Sequence, residues 1–260
     1  MLRAFLLPAV TEEIEMTERI AIVGGSGLAW LEDLKVERQN VVVTPYGEPS
    51  APLAFGQFCD YPVVFLPRHG GGHTIPPHKV NYRANIWALE SVGVKSIVSV
   101  ASVGGITVEP GVICIPDQII DYTWGREQTF VDCCDVSPIK HVDFSEPYCE
   151  SLRSKLIEAG REGSVRIKTE GTYGATQGPR LESAAEIQRM HRDGCDLVGM
   201  TGMPEAALAR ELDLCFAHLS LVVNWAAGVG NGPITMAEIQ KNLDSSIESV
   251  KLLLENLQMS

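Results

Sequence analysis

The sequence lacks a basic face. Lysine and arginine total 21 against 33 aspartates and glutamates, a formal net charge of −12 at pH 7, with no Lys/Arg cluster of the kind nucleic-acid binding needs. An acidic chain that handles a small anion must gather its cations and N–H donors locally. Long apolar runs are also missing. The patch from Leu2 to Val10 is broken by Pro8 and followed by acids, too short for a membrane span and poorly shaped as a signal peptide. Residues 1–15 are therefore expected to be a disordered extension, with one domain over residues 16–260. No C-x-x-C pair occurs, and the cysteine count of seven is odd. This argues against a disulfide framework or structural zinc site and for a reducing, cytoplasmic setting. The adjacent Cys133 and Cys134 read as ordinary thiols. There is no internal repeat, no low-complexity tract and no G-x-S-x-G nucleophile elbow.

What is present suits a large α/β domain. Hydrophobic residues make up 45% of 260 positions, ample for a buried core. Apolar runs over Ile20–Val23, Val63–Leu66, Ile97–Val100, Val112–Ile115, Leu197–Met200 and Leu219–Val223 read as buried strands. Between them, Asn85–Val92, Tyr148–Ala159, Ala184–Met190 and Pro204–Leu212 read as helices, with Gly93 and Gly160 at the C-caps. Met236, Ile239, Leu243, Ile247, Val250, Leu254 and Leu257 form one apolar stripe on a final helix. Strand–helix alternation of this kind predicts a mostly parallel sheet wrapped by helices.

Five segments carry chemistry. Gly24-Gly25-Ser26-Gly27-Leu28 follows a strand and can surround an anion with backbone N–H groups and the Ser26 hydroxyl. A dinucleotide fingerprint would need a third glycine where Trp30 stands. Arg68-His69-Gly70-Gly71-Gly72-His73 places a fixed cation and two imidazoles after another strand. A zinc site from His69, His73 and His78 lacks a helical H-E-x-x-H, and Pro76-Pro77 interrupts any helix there. Gln177-Gly178-Pro179-Arg180-Leu181-Glu182-Ser183 enters a helix, with either Ser183 or Glu182 as its cap, or with Glu182 facing a ligand. Val198-Gly199-Met200-Thr201-Gly202-Met203-Pro204-Glu205 offers the Thr201 hydroxyl at a helix entrance, and Leu221-Val222-Val223-Asn224 ends a strand on an amide. Gly228–Pro233 (GVGNGP) reads as either a mobile loop or a plain connector.

In order and wording these segments resemble the trimeric purine nucleoside phosphorylase and methylthioadenosine phosphorylase family. GGSGL, RHG-x-x-HTI-x-P-x-KVNYRANIWAL, VGGI, GPRLE-x-x-AE, VGMTGMPE and the strand ending in Asn224 carry the resemblance, from about Ile20 to the C-terminus. It implies a single α/β domain with a mixed central sheet partly closed into a barrel and surrounded by helices, and a homotrimer. It implies phosphate as co-substrate, with no metal and no organic cofactor. By position, Ser26, Arg68, His69 and Thr201 would bind phosphate, helped by backbone N–H near Ser102. Met200 would pack under the ribose. His69 and Asn224 would serve catalysis, and Leu181, Glu182, Asn224 and Ala226 would contact the base. Relatives often carry a polar residue where this chain has Ala101, so one phosphate contact is missing.

Phosphorolysis passes through an oxocarbenium-like ribosyl group while negative charge gathers on the departing purine. It needs a held phosphate and a hydrogen-bonding group at N7. Relatives that accept adenine carry Asp-x-Asp where this chain reads Asn224-Trp225-Ala226. An amide can accept from a protonated N7 and donate to a 6-oxo group. Glu182 suits the N1–H of hypoxanthine or guanine and opposes the bare N1 of adenine. No histidine follows His218 to meet a 5′-hydroxyl, and Ile234, Met236 and Ile239 are apolar instead. The combination points to S-methyl-5′-thioinosine, with inosine or guanosine as the alternative and methylthioadenosine third. A nucleotide-sensing or NAD-binding protein is the non-enzyme alternative, disfavoured by Trp30.

Overall fold

In the computed structural model, residues 19–25, 34–58, 61–132, 139–230, 232 and 234–257 are described. The expectations for residues 1–15, Ser26, Trp30, Cys133 and Cys134 lie outside them. The chain alternates strands and helices as the apolar pattern predicts. Strand β1 (Arg19–Gly24) lies between β4 (Tyr61–Pro67) and β5 (Val94–Gly105), parallel to both. Strand β11 (Cys215–Trp225) runs parallel to β5 on its other side. The sheet is mixed. Its main path continues from β4 through β3 (Leu53–Phe58) to the edge strand β2 (Lys35–Asn40). At the other end of β5 it continues through β10 (Leu197–Gly199) and β9 (Thr172–Ala175) to β7 (Gln118–Asp121), while β11 leads to β6 (Ile113–Cys114) and β8 (Ile167–Lys168). The sheet thus forks at β5, where β11 and β10 both attach, and the path does not return on itself.

Both faces of the central strands are covered, which is why their sequences are mostly apolar. On β1, Ala21 and Val23 pack toward α1 (Tyr82–Ser91) and α4 (Glu205–Glu211). Ile20 and Ile22 pack with α2 (Glu150–Glu162) and α5 (Met236–Glu255). The stripe on α5 buries Leu243, Ile247, Val250 and Leu254 against this second face. Helix α3 (Ala184–Arg192) closes a smaller cluster through Ile187 and Met190.

Two expectations change. Gly160 is inside α2, not at its cap, which is Gly163. A Cβ there would stand 2.9 Å from Ile167 Cγ2, so the glycine lets α2 approach β8. Cysteine pairing is the second. Cys149, at the N-cap of α2, and Cys215, opening β11, form a disulfide with Cα atoms 5.1 Å apart. Backbone pairing of Cys149 N–H with Phe216 O holds the two segments together. Spacing along the sequence could not reveal this, and the cysteine count carries no argument about compartment.

Candidate active site

Parallel strands place their C-terminal ends on one side of a sheet, the usual place for ligands in α/β proteins. Here Gly24, Arg68 and Val100 end up abreast: Gly24 pairs with Pro67 and Val100, and Arg68 N–H donates to Gly24 O at 2.8 Å. A cavity of about 210 Å³ opens beside them. Arg68, His69, Ser102, Leu181, Glu182, Met200, Thr201, Asn224 and Ala226 all line it. The phosphate-, ribose- and base-facing residues read from the sequence among the described residues are therefore brought to one place. Ser26 lies outside those residues, although Gly25 lines the cavity.

Arg68, read from the sequence as a fixed cation, is held in a buried ion pair. It is fully buried. Its Nε donates to Glu205 Oε1 at 2.5 Å and its Nη2 to Glu205 Oε2 at 3.2 Å. Nη2 also reaches Ser99 Oγ and Val23 O, and Nη1 donates to Val100 O. Among the described residues one N–H of Nη1 keeps no acceptor, on the side facing Gly25. Burial alone would lower the guanidinium pKa, but the charge and hydrogen bonds of Glu205 outweigh it and raise the value. Arg68 thus offers one N–H and a partly neutralised charge, where a free guanidinium would offer a bidentate fork. Glu205 stands in the quoted VGMTGMPE segment, but no local signal marks it as a partner of a residue 137 positions away.

His69 is held by its backbone surroundings. Its Nδ1 lies 2.8 Å from Ile75 O, an acceptor only, so Nδ1 carries the proton. Nε2 faces Gly25 as a lone pair. Burial, then the charge of Arg68, pushes the imidazole down to about 4, so it is neutral at pH 7. A neutral Nε2 accepts from the O–H of a phosphate monoanion or a ribose hydroxyl. Thr201 is buried, its N–H donating to Tyr173 Oη at 3.3 Å and its hydroxyl 3.4 Å from the same oxygen. Tyr173 fits because Gly199 has no side chain, and a Cβ there would collide with the phenol oxygen. His73 is exposed, its ring 4.6 Å from that of His69. Among the described residues no cluster of three or more His, Cys, Asp or Glu side chains is arranged to hold a metal ion.

β11 brings Asn224 to the same cavity. Its register against β5 slips between Val222 and Asn224, a bulge that re-aims the amide. Asn224 Nδ2 donates to Trp225 O at 2.7 Å, leaving its second N–H and Oδ1 free for a ligand. Ser183, not Glu182, caps α3, in a reciprocal capping box with Glu186. Glu182 is thereby released to the cavity wall, where its Oε1 accepts from Thr176 Oγ1 at 2.6 Å. Thr176 had no signal in the sequence. Leu221, Val223, Ile234, Ile239 and Leu243 give the same cavity apolar lining. Met236, expected to join it, is 76% exposed and does not line the cavity. Within the GVGNGP stretch, Asn231 and Pro233 lie outside the described residues.

A family model described as "Phosphorylase superfamily" matches residues 19–258. The chain is 52% identical over 241 residues to a protein of Xanthomonas campestris called probable S-methyl-5′-thioinosine phosphorylase, covering 92% of this chain and 96% of that one. It is 47% identical to the 6-oxopurine nucleoside phosphorylase of Pyrococcus furiosus, covering 91% of each. Among solved structures, methylthioadenosine phosphorylase from Schistosoma mansoni in complex with adenine superposes with a TM-score of 0.87 at 32% identity, covering 93% of this chain and 91% of that one.

Proposed function

This chain belongs to the phosphorylase superfamily, and we propose that it cleaves 6-oxopurine nucleosides with inorganic phosphate, S-methyl-5′-thioinosine foremost. The products are hypoxanthine and 5-methylthioribose 1-phosphate. The observation that carries the reading is one cavity lined together by Glu182, Asn224, Arg68 and Thr201 and by the apolar side chains of Leu221, Val223, Ile234, Ile239 and Leu243.

Phosphate lies against the Arg68 N–H, the Thr201 hydroxyl and the backbone near Ser102. One of its oxygens attacks C1′ as the bond from C1′ to N9 breaks, and the electron pair of that bond passes to the purine. N7 takes a proton from solvent, before or after the bond breaks, so that the base departs as the neutral N7–H tautomer or as an anion that becomes it. Asn224 Oδ1 accepts from N7–H while its free Nδ2–H donates to the 6-oxo group. Glu182 accepts from N1–H. Met200 supports the ribose. Ile234, Ile239 and Leu243 surround the 5′ substituent, where a methylthio group is at home and a hydroxyl finds no partner. The reaction uses phosphate as co-substrate and calls for no metal or organic cofactor.

Phosphate-dependent release of free base tests this, with S-methyl-5′-thioinosine, inosine and S-methyl-5′-thioadenosine compared side by side. The expected order of kcat/KM is as written, and preference for the adenosine compound would overturn the base assignment. We also propose a homotrimer, supported by the resemblance and by large exposed apolar side chains such as Trp124 (72%), Ile139 (71%) and Met236 (76%). Light scattering showing an active monomer would refute it.

A further inference from the structure

Arg126 lies outside the cavity, yet its guanidinium ties together the two backbone segments that form the cavity's base and ribose ends. It is 9% exposed and sits on the irregular stretch after β7. Nη2 donates to Met200 O at 3.0 Å, Gln177 O at 3.0 Å and Thr176 O at 3.1 Å. Nη1 donates to Met203 O at 2.6 Å and Tyr82 Oη at 3.2 Å, and Nε to Gln177 Oε1 at 3.2 Å. The ring of Tyr82 supports the cation at 5.3 Å. All five donors of the planar fork are thus engaged, by groups from three separate parts of the chain.

The two segments so joined are those that recognise substrate in the proposed function, and the inference rests on that reading. Thr176, held through its carbonyl, passes its hydroxyl to Glu182. Met200, also held through its carbonyl, forms the ribose floor. They press together at Gly178, whose φ of +61° suits glycine and where a Cβ would stand 2.5 Å from Met200 Sδ. We propose that Arg126 is a positioning residue for base specificity. It fixes the distance between Met200 and the Thr176–Glu182 pair, so that a base anchored by its ribose meets the carboxylate at N1. Lysine has the charge but not the planar fork, and cannot serve four backbone carbonyls and a phenol at once.

The test compares Arg126→Lys with wild type on S-methyl-5′-thioinosine and S-methyl-5′-thioadenosine, with phosphate saturating. The expected result is a nucleoside KM raised about tenfold and a ratio of the two kcat/KM values that falls about tenfold, on the scale of one misplaced buried hydrogen bond. Loss of folded protein alone lowers kcat for both substrates equally and moves neither KM nor the ratio. Thr176→Val, nearly isosteric and on a half-buried residue, removes only the hydroxyl link and carries the test if the lysine variant does not fold. Its ratio should shift the same way, and Thr176→Ser should restore it. A ratio within twofold of wild type in the folded lysine variant, or in Thr176→Val, overturns the inference. If the wild type releases base from neither nucleoside, the proposed function itself fails.

Discussion

Replacing Glu205 by glutamine separates the two jobs of the buried ion pair. In the native protein Arg68 and Glu205 are 0% and 1% exposed, and the other acceptors around Arg68 are neutral: Ser99 and the carbonyls of Val23 and Val100. Glutamine keeps the shape but leaves the guanidinium without a counter-charge. Breaking a buried pair from one side costs about 3–5 kcal/mol. At about 2–4 °C per kcal/mol for a domain of this size, the midpoint of thermal unfolding should fall by roughly 6–20 °C without phosphate. The same change strengthens the field on a bound anion. A unit charge roughly 10 Å away acts with about 1.7 kcal/mol at an effective dielectric near 20, roughly a fifteenfold change in affinity. Phosphate should therefore bind the variant more tightly and restore more of its lost stability than it adds to wild type. Thermal melts across a phosphate titration, with the phosphate KM measured in parallel, read both effects. A loss below about 1 kcal/mol, or a phosphate-induced shift equal in the two proteins, would refute the account of Arg68 as a half-neutralised binding cation.

Three further outcomes follow. Asn224→Asp with Ala226→Asp and Glu182→Ser should move preference toward 6-aminopurines by at least about tenfold in relative kcat/KM, since a carboxylate oxygen can accept from the 6-amino group where the N–H₂ of the amide cannot; an unmoved ratio would place base choice elsewhere. His218 is fully buried, and burial followed by the charge of Arg68 depresses its pKa to about 3 against 6.5. The unfolded chain binds this proton first on acidification, so His218 contributes stability above about pH 6.5 that drains away as pH falls toward 3. Melting midpoints should decline across pH 6.5–4, and His218→Gln should flatten that slope. Reduction of Cys149–Cys215, or Cys149→Ser, opens a loop with a sequence separation of 66 and should cost about 4 kcal/mol by chain entropy, read as a lower midpoint under reducing conditions. An unchanged midpoint would show that β11 and α2 are held without it.

Most of the centre of the fold was legible because buried strands announce themselves. β1, β4, β5 and β11 are apolar runs, and the site motifs stand at their ends. The strands that escaped notice lie at the periphery. β2 reads KVERQN with hardly a residue buried, and β9 reads TYGA with a glycine inside, so neither shows alternation or an apolar run. Glu182 and Asn224 could be read as base-facing because amide and carboxylate chemistry is local to each. Glu205, Thr176 and Arg126 could not. What they do depends on which backbone lies opposite, and a single sequence holds no record of that. Met236 failed for a simpler reason: at the first turn of α5 its side chain points to solvent, while Ile239 and Leu243 face the cavity.

The fork at β5 also has a consequence for the order in which the molecule is made. β5 lies between β1 and β11, but β11 is the last strand in the chain and begins some 120 residues later. While a ribosome is still adding residues 106–214, one long edge of the mostly buried β5 lacks the strand that pairs with it in the folded protein. The nascent chain must carry an open, sticky edge through nearly half of its synthesis. Chains that stop short of Cys215 are therefore not smaller versions of the enzyme. They are expected to aggregate through that edge, and the same late strand that brings Asn224 to the cavity also covers it.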